Sequence, residues 1–572
     1  MSRQQLIPEC LENILINLSE TKDLYSCLMV NRFWCAVVVP YLWRYPFKTA
    51  GTSKERCNKV TRTYLSCVSE DSRKKLIDAG INLSEYPRRP LFDYVSYLQG
   101  LIIDQSTFDV IPLIFRLKKN NISSHEIHQR IQVMSAHEEW ILQSQKHLVE
   151  QELAKVLLRG CTRLHSLEIY QCEFLSNLIP KILSFSQYNS SSSSTASLLF
   201  KNPSSPTNPS PQKLFHALRE FSCGSLNDNK PTYDFLMMMS SHCKFINTIK
   251  VHDINSMRLG KALASVVSAQ DCLTCLDLNY SNSYDFSTYE HIFQSLFDDQ
   301  YNQIQLPSHL QNLFPLSPNS SIKKKFSSTS PSLSRLKLSK TNLHNIKKHI
   351  LDHMIKKCDK LQSLELDHCT SINSLTPLQH SLTNLNNLKV TCYDQDLDFI
   401  TEFFQASNIN LRNIYLSWKT NSPPFNPISL YTLPTISSYN LEESFKRIQL
   451  LTNYCTQVRN LYLEVVTPQE LLLIFRFLIH VQKLSVTFNE QTNWDEMMDE
   501  LGENIPKELQ WIGIRNRKEL PFSVKGLQIF LERVKETNGD LELYFQSAQQ
   551  TYLDETKKYE FKIINYAGDF NW

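Results

Sequence analysis

The chain has 572 residues, 60 of them basic and 57 acidic, for a net charge of +3. That length exceeds a single compact core and suits a small module joined to a repeat array. Balanced charge without any Lys/Arg block of five or more argues against a nucleic-acid partner, and no apolar run reaches the roughly 20 residues that span a bilayer.

In chain order, the first prediction is three short helices within residues 5–47. Pro8 suits a first helical position, where its missing N–H is an orphan donor in any case. Leu11, Ile14, Leu15 and Leu18 recur at i, i+3, i+4 and i+7 as one apolar stripe. A second helix is expected over 22–30. Asn31 can cap a third, running through Trp34 and Val38 and ending near Pro40. Three such helices enclose little core alone, so the apolar surface left over should face a partner. The rival expectation is a helical cap whose aromatics are simply core.

Residues 5–47 resemble the F-box. The resemblance rests on Pro8-Glu9, the Leu/Ile spacing, Val30-Asn31 with Trp34 three residues later, and the closing Leu42-Trp43-Arg44. Ile7 stands where the family usually has leucine. The resemblance implies docking onto a Skp-type adaptor, and through it onto a cullin-RING ubiquitin ligase. The docking residues it implies are Ile7, Pro8, Glu9, Leu11, Ile14, Leu15, Leu28, Val30, Asn31, Trp34, Leu42 and Trp43.

After this module (1–50) a helical connector is expected over 51–92. Its helices cover 53–69 and 70–79, with Gly80 as a C-terminal cap and Pro87-Arg88-Arg89-Pro90 as a break. Longer helices are expected in 107–158, including 135–158.

Residues 93–572 carry an internal repeat. Cys161-x-x-Leu164-x-x-Leu167-x-Ile169-x-x-Cys172 is matched by Cys358-x-x-Leu361-x-x-Leu364-x-Leu366-x-x-Cys369. Its core, apolar at 0, +3 and +5, starts at Leu98, Leu164, Leu218, Ile246, Leu273, Leu333, Leu361, Leu385, Leu411, Val458, Val481 and Leu509. Close neighbours are 23–28 residues apart, the leucine-rich-repeat signature, in which each unit supplies a strand and a returning crossover. The predicted fold class is therefore α/β: a three-helix module, then a leucine-rich-repeat solenoid with a curved parallel sheet inside and helices outside. A non-repetitive Leu-rich α/β domain is the alternative. The cysteine before the strand is similar to the cysteine-containing class of these repeats. The whole layout resembles fungal families of F-box proteins with degenerate leucine-rich repeats. Ser/Pro-rich insertions at 184–212, 303–331 and 421–440 read as flexible loops.

No phosphate-binding loop, metalloprotease or nucleophile-elbow motif occurs, so no catalytic residue, cofactor or metal is expected. Fifteen scattered cysteines do not suggest a disulfide framework, and Cys272/Cys275 form a lone CxxC. His349 and His353 at i, i+4 read as a solvated helix face. Strand alternation turns the middle residue of each L-x-L outward. The candidate ligand face is Glu168, Tyr170, His252, Asp277, Glu365, Asp367, Tyr415, Tyr462, Glu464 and Arg515, where Tyr and Arg are favoured anchors.

The expected function is a non-catalytic substrate receptor of a Skp–cullin–F-box ubiquitin ligase, acting on a protein substrate in cytoplasm or nucleus, with no membrane or nucleic-acid partner. The alternative is a protein-interaction scaffold outside any ligase.

Overall fold

Every one of the twelve segments that opens an apolar 0, +3, +5 pattern forms a parallel β-strand in the computed structural model of the chain. The structure describes residues 7–18, 21–51, 53–81, 90–104, 124–161, 163–170, 215–280, 287–297, 333–346, 348–393, 397–406, 411–419, 441–488, 492–515, 520–538, 541–546, 550–559 and 562–566, with single positions 83, 110, 111 and 114. The three expected insertions lie outside them. The protein is α/β, with open parallel sheets and helices around them. It divides into two compact units, the described residues of Met1–Leu273 with His291–Pro331, and of Thr274–Glu290 with Ser332–Trp572.

The first unit begins with α1 (Pro8–Ile16), α2 (Thr21–Leu28) and α3 (Arg32–Leu42). Pro8 takes the first helical position of α1, and the Asn31 side chain accepts the Trp34 N–H at 2.9 Å to start α3. Leu11, Leu15, Val38 and Leu42 form the core of the three helices, with Trp34 and Trp43 packed around it. The helix expected to end near Pro40 runs on to Leu42. Pro40 removes one helical hydrogen bond, and the last turn persists because it carries Leu42 into that core.

α4 (Pro46–Ala50), α5 (Lys54–Ser66) and α6 (Glu70–Asp78) follow, the last two capped by Ser53 and Ser69. Gly80 has φ +81°, a conformation that costs an L-residue about 1–2 kcal/mol. Its N–H donates to the Ile77 carbonyl at 2.8 Å and that of Ile81 to Leu76 at 2.9 Å, closing α6. The 25-residue helix Ala136–Gly160 opens with a capping box, Ser135 and Glu138, and includes Gly160 rather than stopping before it.

Four strands follow in register: β1 (Gly100–Ile103), β2 (Ser166–Ile169), β3 (Glu220–Gly224) and β4 (Thr248–His252). Leu101, Leu167, Phe221 and Ile249 share one buried row, and Ile103, Ile169, Cys223 and Val251 the next. The C-terminal end of α3 is fastened to this sheet. The Arg44 carbonyl accepts the N–H groups of Gln99 (2.8 Å) and Gly100 (2.9 Å), and the Tyr45 ring occupies the space over Gly100 that a Cβ would need.

The second unit holds ten parallel strands paired in chain order: β5 (Cys275–Asn279), β6 (Arg335–Ser339), β7 (Ser363–Asp367), β8 (Asn387–Tyr393), β9 (Asn413–Lys419), β10 (Asn460–Val466), β11 (Lys483–Phe488), β12 (Trp511–Ile514), β13 (Glu542–Gln546) and β14 (Lys562–Tyr566). Leu276, Leu336, Leu364, Leu388, Ile414, Leu461, Leu484, Ile512 and Leu543 are in register across β5–β13, all buried. Most crossovers carry a helix; between β7 and β8 a 3-10 segment, Ile372–Ser381, serves instead.

The sequence pattern missed β13 and β14 because it breaks in both, and in β14 its last apolar position is also Asn565. In the sequence, Asp540 stands three residues before Leu543 and Glu560 three before Ile563, where the pattern requires its first apolar residue.

The pre-strand cysteines are core. Cys161, Cys243, Cys358 and Cys455 are buried, each five residues ahead of its strand, and burial pushes each thiol up to about 12. The described cysteines are free thiols.

Candidate binding surfaces

Two surfaces collect the residues singled out in the sequence. The first is the outside of α1–α3. Leu11, Leu15 and Leu42 are 0, 2 and 8 % exposed and lie in the core that holds the three helices together. Leu28, Trp34 and Trp43 are half-buried. Trp43 packs against the core of the three helices and also sets its ring 4.4 Å from that of Tyr94 and 5.6 Å from that of Tyr64.

Pro8, Glu9 and Asn31 are exposed, as are Ile7, Ile14 and Val30. Sequence reasoning missed three other exposed apolar groups: Met29 at 86 %, Ile16 at 65 % and Tyr25 at 56 %. The available signal was the pair Met29-Val30 directly before the N-cap Asn31, where a helix has ended and no apolar stripe needs them. Exposed apolar residues gathered on one short segment mark a contact site more often than isolated ones do.

The second surface is the outward row of strand residues. In the first unit, Glu168, Tyr170 and His252 are half-buried. Tyr170 and His252 flank Gly224 with rings 6.4 Å apart, and a Cβ on Gly224 would lie 2.9 Å from the His252 Cβ. Burial raises the Tyr170 hydroxyl pKa.

In the second unit, none of the predicted face residues is fully exposed, and Asp277 and Tyr462 are buried at 9 and 6 %. Strands under 5 Å apart let neighbouring side chains cover one another. On β5–β7 the charges pair sideways, Lys337 with Asp277 (3.5 Å) and Arg335 with Glu365 (2.5 Å). Asp367 is held down to about 2, first by the His368 ring nitrogen at 2.9 Å and also by the Thr391 hydroxyl at 3.0 Å.

From β8 onward the face becomes aromatic. The Tyr415 and Tyr462 rings stack 3.6 Å apart at 10°, Lys389 Nζ lies 4.6 Å from the Tyr415 ring centre, and Arg515 Cζ lies 3.5 Å over Tyr462. The Ser417 hydroxyl donates to Glu464. Asn387, Asn413 and Asn460 join through their side-chain amides into a ladder along the same strands. Trp511 and Tyr544, also missed, meet at 4.9 Å; Trp511 lies across the space above Gly513. The signal was Gly513 at a middle position, a notch into which a neighbouring ring can fall.

These groups offer stacking, amide hydrogen bonds and charge-assisted contacts, the means of recognising another molecule. Among the described residues, no group of three or more His, Cys, Asp or Glu is placed to hold a metal ion, and no helix is long and apolar enough to cross a membrane. The side chains of His349 and His353 lie outside the described set. No family model matches this chain, and no curated protein matches it.

Proposed function

We propose that the chain is the substrate-recognition subunit of a Skp–cullin–F-box type ubiquitin ligase, with α1–α3 docking the adaptor and the strand face, read as degenerate leucine-rich repeats, holding a protein substrate. One observation carries this reading. The three helices complete a core of their own with Leu11, Leu15, Val38 and Leu42, yet Ile7, Ile14, Ile16, Tyr25, Met29 and Val30 stay exposed. Apolar surface that the fold does not need is surface available for a partner. On this reading the chain needs no catalytic group. The conjugating enzyme arrives on the cullin-RING arm, and the receptor raises the effective concentration of the substrate's lysine beside it. The protein would act in cytoplasm or nucleus.

The alternative, a scaffold whose N-terminal helices only cap the sheet, draws support from Trp43 and Arg44, which tie the end of α3 to Tyr94 and to the start of β1. It leaves the exposed apolar residues of α1 and α2 without a role.

Co-purification with a Skp-type adaptor and a cullin separates the two. The wild-type chain should capture the adaptor stoichiometrically. Met29→Asp/Val30→Asp, which touches no core residue, should keep its circular dichroism and Tm while losing capture. A well-folded wild type that captures no adaptor would sink the ligase reading.

A further inference from the structure

Among the described residues of the second unit, three large apolar side chains stand exposed, Tyr454 (43 %), Phe477 (54 %) and Ile479 (57 %), and all three lie at one edge of the sheet, just ahead of β10 and β11. Tyr454 is the last residue of the helix Leu441–Tyr454, and Phe477 the last of Pro468–Phe477. These two helices pack against each other, and each of the two residues stands six positions ahead of its strand, Tyr454 before β10 and Phe477 before β11. They are equivalent positions on neighbouring crossovers. The fold does not need them, since the residues that follow them, Cys455 and Leu478, already close the core beneath. On the strand side of the same edge, Arg412 and Arg459 stand one residue ahead of β9 and β10, and Lys483 opens β11. The Arg412 carbonyl accepts the Arg459 N–H at 2.8 Å, which sets the two arginines side by side. All three cations are exposed, and none forms an ion pair with any described residue. Arg476 and His480, which flank Phe477 and Ile479 in sequence, instead hold two acids, Glu500 at 2.5 Å and Glu508 at 3.1 Å.

We propose that this edge docks an amphipathic helix of a partner protein, with its apolar stripe on Tyr454, Phe477 and Ile479 and a row of Asp or Glu along one flank facing Arg412, Arg459 and Lys483. The inference goes beyond the receptor reading and uses none of the residues on which that reading rests. Spacing favours a helix as the occupant. Packed helices lie about 8–10 Å apart, so Tyr454 and Phe477 match residues i and i+7 of a docked helix, roughly 10 Å apart at 1.5 Å per residue. The cations cover a similar length, because three strands at just under 5 Å spacing span about 10 Å. Both rows run across the strands, so one helix laid along the edge meets both. Charge decides the class of partner. Exposed cations without partners select acids across an interface. An anionic membrane fits less well, because seating Phe477 and Ile479 in it would press Glu500 and Glu508 against the headgroups. A helix with acids on one flank only meets the cations and leaves those two carboxylates in solvent.

The test is fluorescence polarisation of the full chain with labelled, alanine-based helical peptides of about five turns. The probe carries leucine at i, i+3 and i+7 and glutamate along one flank. Its controls replace glutamate by glutamine, replace it by lysine, or scatter the same leucines around the helix. The probe should bind about tenfold more tightly than the glutamine and scattered versions, and less tightly as salt rises. Phe477→Asp and, separately, Arg459→Glu should each weaken it about tenfold, and Arg459→Glu should bind the lysine version better than the wild type does. Both side chains are exposed, so both variants should keep the wild-type Tm. Lys261→Glu, the same charge change in the first unit, should leave affinity within about twofold. Equal binding of the glutamine or scattered peptides, equal damage from Lys261→Glu, or no probe binding up to millimolar concentration would each overturn the inference. So would tighter capture by phosphatidylserine vesicles than by the probe, or self-association of the wild type that Phe477→Asp abolishes, which would give the edge to a membrane or to a second copy of the chain.

Discussion

At the scale of single residues, strand exits are where the backbone is most constrained. Ser225, Asp253, Lys340 and His368 follow β3, β4, β6 and β7, each with φ between +47° and +54°. Their N–H groups can then turn toward the neighbouring strand, as Ser225 does toward the His252 carbonyl (3.1 Å) and Lys340 toward that of Asp367 (2.7 Å). His368 in this conformation sets its ring nitrogen against the carboxylate of Asp367. That contact, with Thr391 and Lys389, depresses the Asp367 pKa from 3.8 to about 2. A carboxylate with a lowered folded-state pKa contributes stability that is present above the unfolded value and lost as pH falls through the folded one. Stability of the wild-type chain should therefore decline between about pH 4 and pH 2 by a component that Asp367→Asn lacks. Urea melts at pH 5, 3.5 and 2.5 measure it, and parallel decline in both proteins would refute the assignment.

At the scale of elements, the same sequence device differs in weight with burial. Ser135 and Glu138 form an exposed capping box, whereas Thr467 and Glu470 form one that is 3 and 2 % exposed, at the start of the helix Pro468–Phe477. In both, the hydroxyl accepts the N–H of the fourth residue, and the glutamate returns to the cap N–H. Water can replace the hydroxyl at Ser135. At Thr467 its loss leaves buried Glu470 short of the 3.1 Å contact it accepts. Ser135→Ala should cost about 0.5–1 kcal/mol and Thr467→Ala about 2. Equal costs in denaturant melts would show that burial does not govern these caps. Both boxes are readable as letters, Ser-x-x-Glu and Thr-x-x-Glu; their unequal depth is not.

At the scale of the molecule, stability in the second unit should be distributed strand by strand. Each strand pairs only with its sequence neighbours, so coupling is between nearest neighbours. Leu366 is fully buried on β7, and Leu366→Ala should cost about 2–5 kcal/mol. Hydrogen exchange should then accelerate in β6, β7 and β8 before it does in β11–β13. Uniform acceleration from β5 to β14 would show instead that the unit opens as one block.

By itself the sequence determined where strands lie. An apolar residue at 0, +3 and +5 must turn inward wherever the backbone is extended, and this places β1–β12 without any knowledge of neighbours. It also determined the helix starts at Pro8, which has no N–H to leave unsatisfied there, and at Asn31, whose cap is a local hydrogen bond. Only the tertiary structure decided which apolar residues of the first 47 are core and which are left outside. Leu11 and Ile14 belong to one stripe, yet the first is 0 % and the second 43 % exposed. Burial is a property of what packs opposite, which periodicity does not encode. The same holds for the strand face. Residues 47 positions apart, Tyr415 and Tyr462, stack because β9 and β10 are adjacent, and Arg515 reaches Tyr462 from two strands away. Which side chains become neighbours across a sheet depends on strand order and register, and those are fixed only when the chain closes its long-range contacts.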